Sequence, residues 1–169
     1  MNLSTNTLEL MKELTQISAV SGNEAKMSRV LQSYYKKYTD EIIFDNLGSV
    51  FAVRKCGLEN APRVLVSGHM DEIGFIVQDI TAKGLIKILP LGTICNEGLI
   101  GQRVKVVNRK GEEFRGIIMS SAKDGSKSVD IKNLVVDMGL STKEEVLELG
   151  INLGDSIVVE GAFEILAGG

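Results

Sequence analysis

Ser67-Gly68-His69-Met70-Asp71-Glu72-Ile73-Gly74 holds the one histidine of the sequence, with an aspartate two positions after it. A neutral imidazole is a good zinc or cobalt ligand, and a carboxylate at its other ring nitrogen fixes the tautomer and raises the ligand's basicity. The apolar run Arg63 to Ser67 leads into this pair and reads as a strand buried on both faces. His69 would then sit at the strand's C-terminal end, where α/β sheets hold their ligands. If the extended backbone continues, residues two apart point to the same side, so His69 can coordinate while Asp71 supports it. The same alternation turns Glu72 away and gives it a structural or supporting role rather than that of a base. A lone histidine beside acidic residues is also what a hydrogen-bonded surface residue looks like, and a tight metal site needs two further ligands. Asp45, Asp79 and Asp137 stand alone in sequence and read as turn or surface residues. Cys56 and Cys95 are far apart and fit no metal or redox spacing. They read as small buried hydrophobes in a reducing, cytoplasmic compartment.

The elements that must position this segment are legible from period and punctuation. Leu8, Met11, Leu14 and Ile17 recur at helical steps and predict a first helix over Thr7 to Ile17. Ser21-Gly22-Asn23-Glu24 has the spacing of a capping box, followed by Met27, Val30, Leu31, Tyr34 and Tyr38 on one face of a second helix. Ile42 to Phe44 and Val50 to Val53 flank a tight turn and predict two strands. After residue 74 the texture changes. Gly74 to Ile80, Leu85 to Leu89, Gln102 to Asn108, Glu113 to Met119 and Asp155 to Glu160 are strand-like and separated by glycine-bearing turns. One helix breaks this pattern, with Ser141 and Glu144 as its capping box and Gly150 as its stop. Residues 74 to about 163 therefore predict a mainly β, barrel-like closed sheet that leaves no exposed edge. Lys123 to Ser128 reads as a polar loop, and the final apolar run into Gly168-Gly169 suggests a chain that stops in mid-domain.

Composition narrows the function classes. The 169 residues are 44% hydrophobic and 24% charged, with 19 basic and 22 acidic side chains and a net charge of −3. That describes a globular chain with a core, and the scattered charges give no basic footprint for nucleic acid. No apolar run is long enough to span a membrane, and the first 20 residues lack signal-peptide features.

His69-Met70-Asp71-Glu72-Ile73-Gly74-Phe75, with Asp45-Asn46-Leu47-Gly48 before it, resembles the tetrahedral aminopeptidase family. That family includes glutamyl and deblocking aminopeptidases and some proteins labelled endoglucanases. Val20-Ser21-Gly22-Asn23-Glu24, Pro90-Leu91-Gly92, Gly101-Gln102-Arg103-Val104, Asp137-Met138-Gly139 and Gly154-Asp155 extend the similarity in order along nearly the whole chain. The resemblance implies an α/β protein: the N-terminal part of an α/β/α metallopeptidase catalytic domain, interrupted by a β-rich dimerisation domain. On that reading residues 1–73 belong to the catalytic domain, 74–163 to the dimerisation domain, and 164–169 begin the return. It also implies a peptide substrate, two divalent metal ions (zinc or cobalt), and dimers that build a homo-oligomeric dodecamer. By residue-to-residue carry-over His69 is a ligand of one metal, and Asp71 is the catalytic carboxylate that orients it. The family's other ligands and its glutamate base have no counterpart in these residues, so the chain alone is expected to be inactive. The stretch from Met119 to Val129 is also shorter than the family's loop there.

Two other readings remain open. Residues 74 to 163 could act purely as an assembly module. A glycosidase would need two carboxylates across a sugar cleft with aromatic platforms, which zero tryptophans and 5% aromatics disfavour.

Overall fold

The computed structural model describes residues 5–39, 41–121 and 130–167. They divide into two compact units, Met1–Asp71 and Glu72–Gly169.

The first unit contains α1 (Thr5–Thr15), α2 (Ala25–Tyr35), β1 (Glu41–Phe44) and β2 (Val50–Val53). The expected Ser21 cap does not form. Residues 20–23 make a turn instead, with Asn23 N–H donating to the Val20 carbonyl at 2.9 Å. Glu24 bends back to accept from Gly22 N–H at 2.7 Å, and its own carbonyl receives the first helical bond, from Ser28. Tyr34 on α2 donates its hydroxyl to Glu13 on α1, which raises the tyrosine's pKa. Strands β1 and β2 form a two-stranded antiparallel ladder from Glu41↔Val53 to Phe44↔Val50. Its turn is tied by the Asp45 carboxylate, which accepts from Leu47 N–H at 2.9 Å and Ser49 N–H at 2.8 Å.

The apolar run Arg63 to Ser67 is not a strand here. Val64, Leu65 and Val66 are 84%, 75% and 91% exposed. The composition suits a doubly buried strand, but no strand among the described residues pairs with this segment. A sequence pattern reports what a segment needs, not whether the partner is present.

The second unit is a closed antiparallel barrel in the order β3-β4-β7-β6-β5-β8. Its strands are β3 (Gly74–Ile80), β4 (Ile86–Leu91), β5 (Arg103–Val107), β6 (Glu113–Ser120), β7 (Leu134–Asp137) and β8 (Ser156–Val159), with α3 (Lys143–Glu148) between the last two. Alternation builds the core, since every second side chain of a strand faces inward. Phe75, Val77, Ile86, Ile88, Val104, Val106, Ile118, Val136 and Ile157 are buried together, each contributing roughly 1.5–3 kcal/mol for side chains of this size. On β3 the register shifts between Val77 and Asp79. One extra residue in the strand reverses the faces, so Ile80 is buried and Asp79 lies opposite Lys87. The Lys87 ammonium, 2.9 Å away, hydrogen bonds to Asp79 and holds its carboxyl below the usual range.

β7 was not foreseen, because Leu134-Val135-Val136 is short and shows no alternation. The capping box of α3 also lies one residue later than expected. Thr142 Oγ1 accepts from Glu145 N–H, and Glu145 Oε2 accepts from Thr142 N–H at 3.2 Å and Ser141 N–H at 2.7 Å. This register leaves Val146 buried in the core. The polar loop expected at Lys123 to Ser128 lies outside the described residues.

Two glycines are required by close approach. A Cβ on Gly116 would come 2.5 Å from Val136 Cγ1. One on Gly84, which has φ +74, would come 2.7 Å from the Leu140 carbonyl oxygen. The closing ladder pairs β3 with β8, Phe75 facing Ile157.

Candidate functional site

His69 and Asp71 lie in the irregular stretch that ends the first unit. The imidazole is 85% exposed and the Asp71 side chain 36%. His69 Nδ1 is 2.9 Å from the Asp71 backbone carbonyl oxygen and 3.1 Å from Asp71 Oδ1. Both neighbours are acceptors, so Nδ1 must carry the proton. In the neutral ring the Nε2 lone pair is then free to bind an electrophile. At this exposure the contact adds little stability; what it achieves is choice of tautomer and ring orientation.

The donor chemistry fits one histidine ligand with its orienting carboxylate, and it fits no more than that. Among the described residues no three His, Cys, Asp or Glu side chains converge on a point that could hold a metal ion. The isolated acids are accounted for locally. Hydrogen bonds from Ser49 hold the Asp45 carboxyl below its ordinary pKa, Asp79 pairs with Lys87, and Asp137 Oδ1 accepts from Gly139 N–H at 2.8 Å. Glu72 opens the second unit. The cysteines depart from expectation: both are exposed, and Cys95 donates its thiol to Glu97 Oε2 at 3.3 Å. Each lies in loop backbone away from the core strands, where nothing buries a small apolar side chain.

Two features of the second unit escaped the sequence reading. The first is Asn108, buried at the β5–β6 turn. Its Oδ1 accepts from Lys110 N–H and Glu112 N–H, and its Nδ2 donates to Glu112 Oε2 and the Leu149 carbonyl. The second is a groove of about 950 Å³ on the barrel wall, lined by Arg103, Arg115, Ile117, Met119, Met138 and Glu160 among others. Arg115 Nε donates to Glu160 Oε1 at 3.0 Å beside it. Gly116 was the available signal, since a glycine inside a strand marks close approach by a neighbour.

Residues 48–169 match the family model of the M42 glutamyl aminopeptidases. The chain belongs to that family. It is 34% identical over 153 residues to the lysyl aminopeptidase of Pyrococcus furiosus, an alignment covering 86% of this chain and 43% of that enzyme. Among solved structures, aminopeptidase APDkam598 from the archaeon Desulfurococcus kamchatkensis superposes with a TM-score of 0.90 at 32% identity, covering 96% of this chain and 45% of that one. The Pyrococcus horikoshii TET1 peptidase, described as able to assemble into a tetrahedron or a large octahedral shell, superposes with a TM-score of 0.84 at 31% identity, covering 95% of this chain and 48% of that one. This M42 chain thus spans about half the length of the relatives it matches. No helix among the described residues is long and apolar enough to cross a membrane.

Proposed function

We propose that the chain supplies one ligand-bearing part of a metal-dependent aminopeptidase that removes N-terminal residues from peptides. The observation that carries this reading is the His69–Asp71 contact, in which the carboxylate holds the Nδ1 side of the ring and leaves the Nε2 lone pair available. In this reading residues 1–73 are a piece of an α/β/α catalytic domain and residues 164–169 begin the return to it. His69 binds one of two divalent ions, zinc or cobalt, and Asp71 orients the ring. A bound divalent ion supplies Lewis acidity toward a peptide carbonyl and lowers the pKa of water. This chain's own contribution is to hold the proton on Nδ1 and present Nε2. One ligand does not make a tight site, because catalytic zinc needs three from protein.

The test is cobalt titration followed by NMR, where one histidine gives one set of imidazole signals. Those signals should shift on Nε2 coordination, and unchanged signals at millimolar cobalt would remove the metal reading. The purified chain should not turn over aminoacyl nitroanilides with zinc or cobalt present; robust hydrolysis would contradict the missing-ligand argument.

Residues 74–163 have a second role in this reading, as a module for assembly into homo-oligomers. It is supported by the groove on the barrel wall, where Ile117 and Met119 are exposed apolar side chains. Sedimentation of that segment should show association at micromolar concentration, and a strict monomer would count against it.

A further inference from the structure

Strand β6 outruns its neighbour on one side of the barrel. It pairs with β5 from Glu113 to Ile117, but with β7 only from Ile117 onward, because β7 ends at Asp137. In an antiparallel ladder successive residues turn their backbone groups to opposite sides. Asn108 N–H donates to the Glu112 carbonyl and Ile118 N–H to the Gln102 carbonyl, so the even-numbered residues of β6 face β5. Ser121 N–H donates to the Asn133 carbonyl, which puts the odd-numbered residues on the β7 side. Arg115 therefore aims its N–H and C=O at a position where β7 has already stopped. Register would place Gly139 there, but Gly139 turns away at φ +76 and gives its N–H to Asp137 Oδ1 at 2.8 Å. The result is a short open strand edge. It gives onto the groove of about 950 Å³ in the barrel wall, which Arg115, Gly139, Ile117 and Met119 help to line.

We propose that this groove binds an extended acidic peptide by strand addition. The peptide runs antiparallel to β6, exchanges backbone hydrogen bonds with Arg115 and sets a carboxylate side chain on the Arg103 guanidinium. Charge selects the acidic residue. Lys105 and Arg115 are already paired, with Glu113 and Glu160, whereas Arg103 is exposed and makes no ion pair among the described residues. Topology selects its place. An antiparallel peptide meets the end of β7 on the N-terminal side of its residue opposite Arg115. There it must lift out of the line of the sheet and pass over Ile117, which is half exposed and faces Arg103 across the β5–β6 ladder. An apolar side chain at that point covers Ile117 and Met119, and the neighbouring acidic one reaches Arg103. Length speaks against a second barrel as occupant. The open edge spans only Glu113 to Gly116, less than the usual strand of about five or six residues, and the strands of a second copy are tied into their own ring. The inference goes beyond the aminopeptidase and assembly roles proposed above, and the peptide competes with any second copy for this wall.

The probe is an acetylated, amidated octapeptide of Ser and Val around one Glu, titrated into the whole chain and followed by NMR. At saturation the Arg115 amide should exchange at least about 10-fold more slowly, as a paired strand amide does, and the Ile117 and Met119 methyl signals should shift. N-methylation of the peptide's backbone amides should weaken binding by about 10-fold, since each lost backbone hydrogen bond costs up to that much. Arg103→Gln changes an exposed side chain and should leave the barrel amides as they were. It should weaken the Glu peptide by about 3- to 5-fold, the range of an exposed ion pair, and leave the peptide with Gln in place of Glu unchanged. No shift at millimolar peptide overturns the proposal. So does binding that is indifferent to N-methylation, or an Arg103→Gln loss that is equal for the Glu and Gln peptides. Protection of the Arg115 amide in the chain alone as its concentration rises would make a second copy the occupant and overturn it as well. Sedimentation of the same samples separates this inference from the assembly role. A monomer that binds the peptide keeps the inference and removes that role; association without peptide binding does the reverse.

Discussion

The barrel and the first unit carry similar apolar residues and use them differently. In the barrel, Ile86, Ile88, Val104 and Val106 alternate with polar neighbours, and the inward set is fully covered. In the first unit the buried hydrophobic side chains among the described residues are Ala19, Val20 and Met27, while Ile43, Phe44, Leu47 and Phe51 of the hairpin are exposed along with Val64 to Val66. A closed sheet satisfies its own edges and faces; a two-stranded ribbon does not, nor does a segment that joins no sheet. The difference therefore lies in whether a closed sheet covers the apolar residues, not in the hydrophobicity of those residues.

The comparison breaks most visibly if core truncations cost the same in both units. Phe75→Ala empties a covered position in the barrel and should destabilise that unit by about 3–5 kcal/mol. Leu65→Ala removes side chain already in solvent and should stay within about 0.5 kcal/mol. Urea unfolding followed through the barrel checks both values. Asn108→Ala comes next, since it removes four hydrogen bonds and leaves the Leu149 carbonyl without its donor. A loss of about 2–3 kcal/mol should appear as a lower urea midpoint with an unchanged slope. Thr142→Ala removes the α3 cap and should cost about 1 kcal/mol, while Ser141→Ala should cost much less because only its backbone takes part.

The smallest effect is a pH dependence on the barrel surface. Asp79 has a folded-state pKa below its unfolded value because of Lys87. Its contribution is thus present above the unfolded pKa and lost as pH falls through the lower folded one. Carboxyl NMR should place its midpoint below that of an ordinary aspartate, and Lys87→Met should return it toward the ordinary value.

What the sequence reveals follows the same division. Strands β3, β5, β6 and β8 were readable because inward alternation within one closed sheet leaves its period in the chain. β7 was hidden by its brevity. The α3 cap slipped because Ser141-Thr142 and Glu144-Glu145 offer the same spacing twice, and only burial of Val146 chooses between them. The Ser21 cap failed because the Gly22 turn drew Glu24 back to it. His69 and Asp71 meet in irregular backbone and not along an extended strand, since a contact between neighbours two apart needs only local geometry. Arg63 to Ser67 has the apolar composition of a buried strand, yet no strand among the described residues pairs with it, because composition records a preference and not a partner.

The pairing of β3 with β8 has one more consequence. Phe75 opposite Ile157 brings the start of the barrel beside its end. The chain therefore enters the barrel at Gly74 and leaves it after Val159 at neighbouring points of one ladder. In general, a closed sheet whose two ends lie this close can be spliced into another fold with little disturbance to that fold's path.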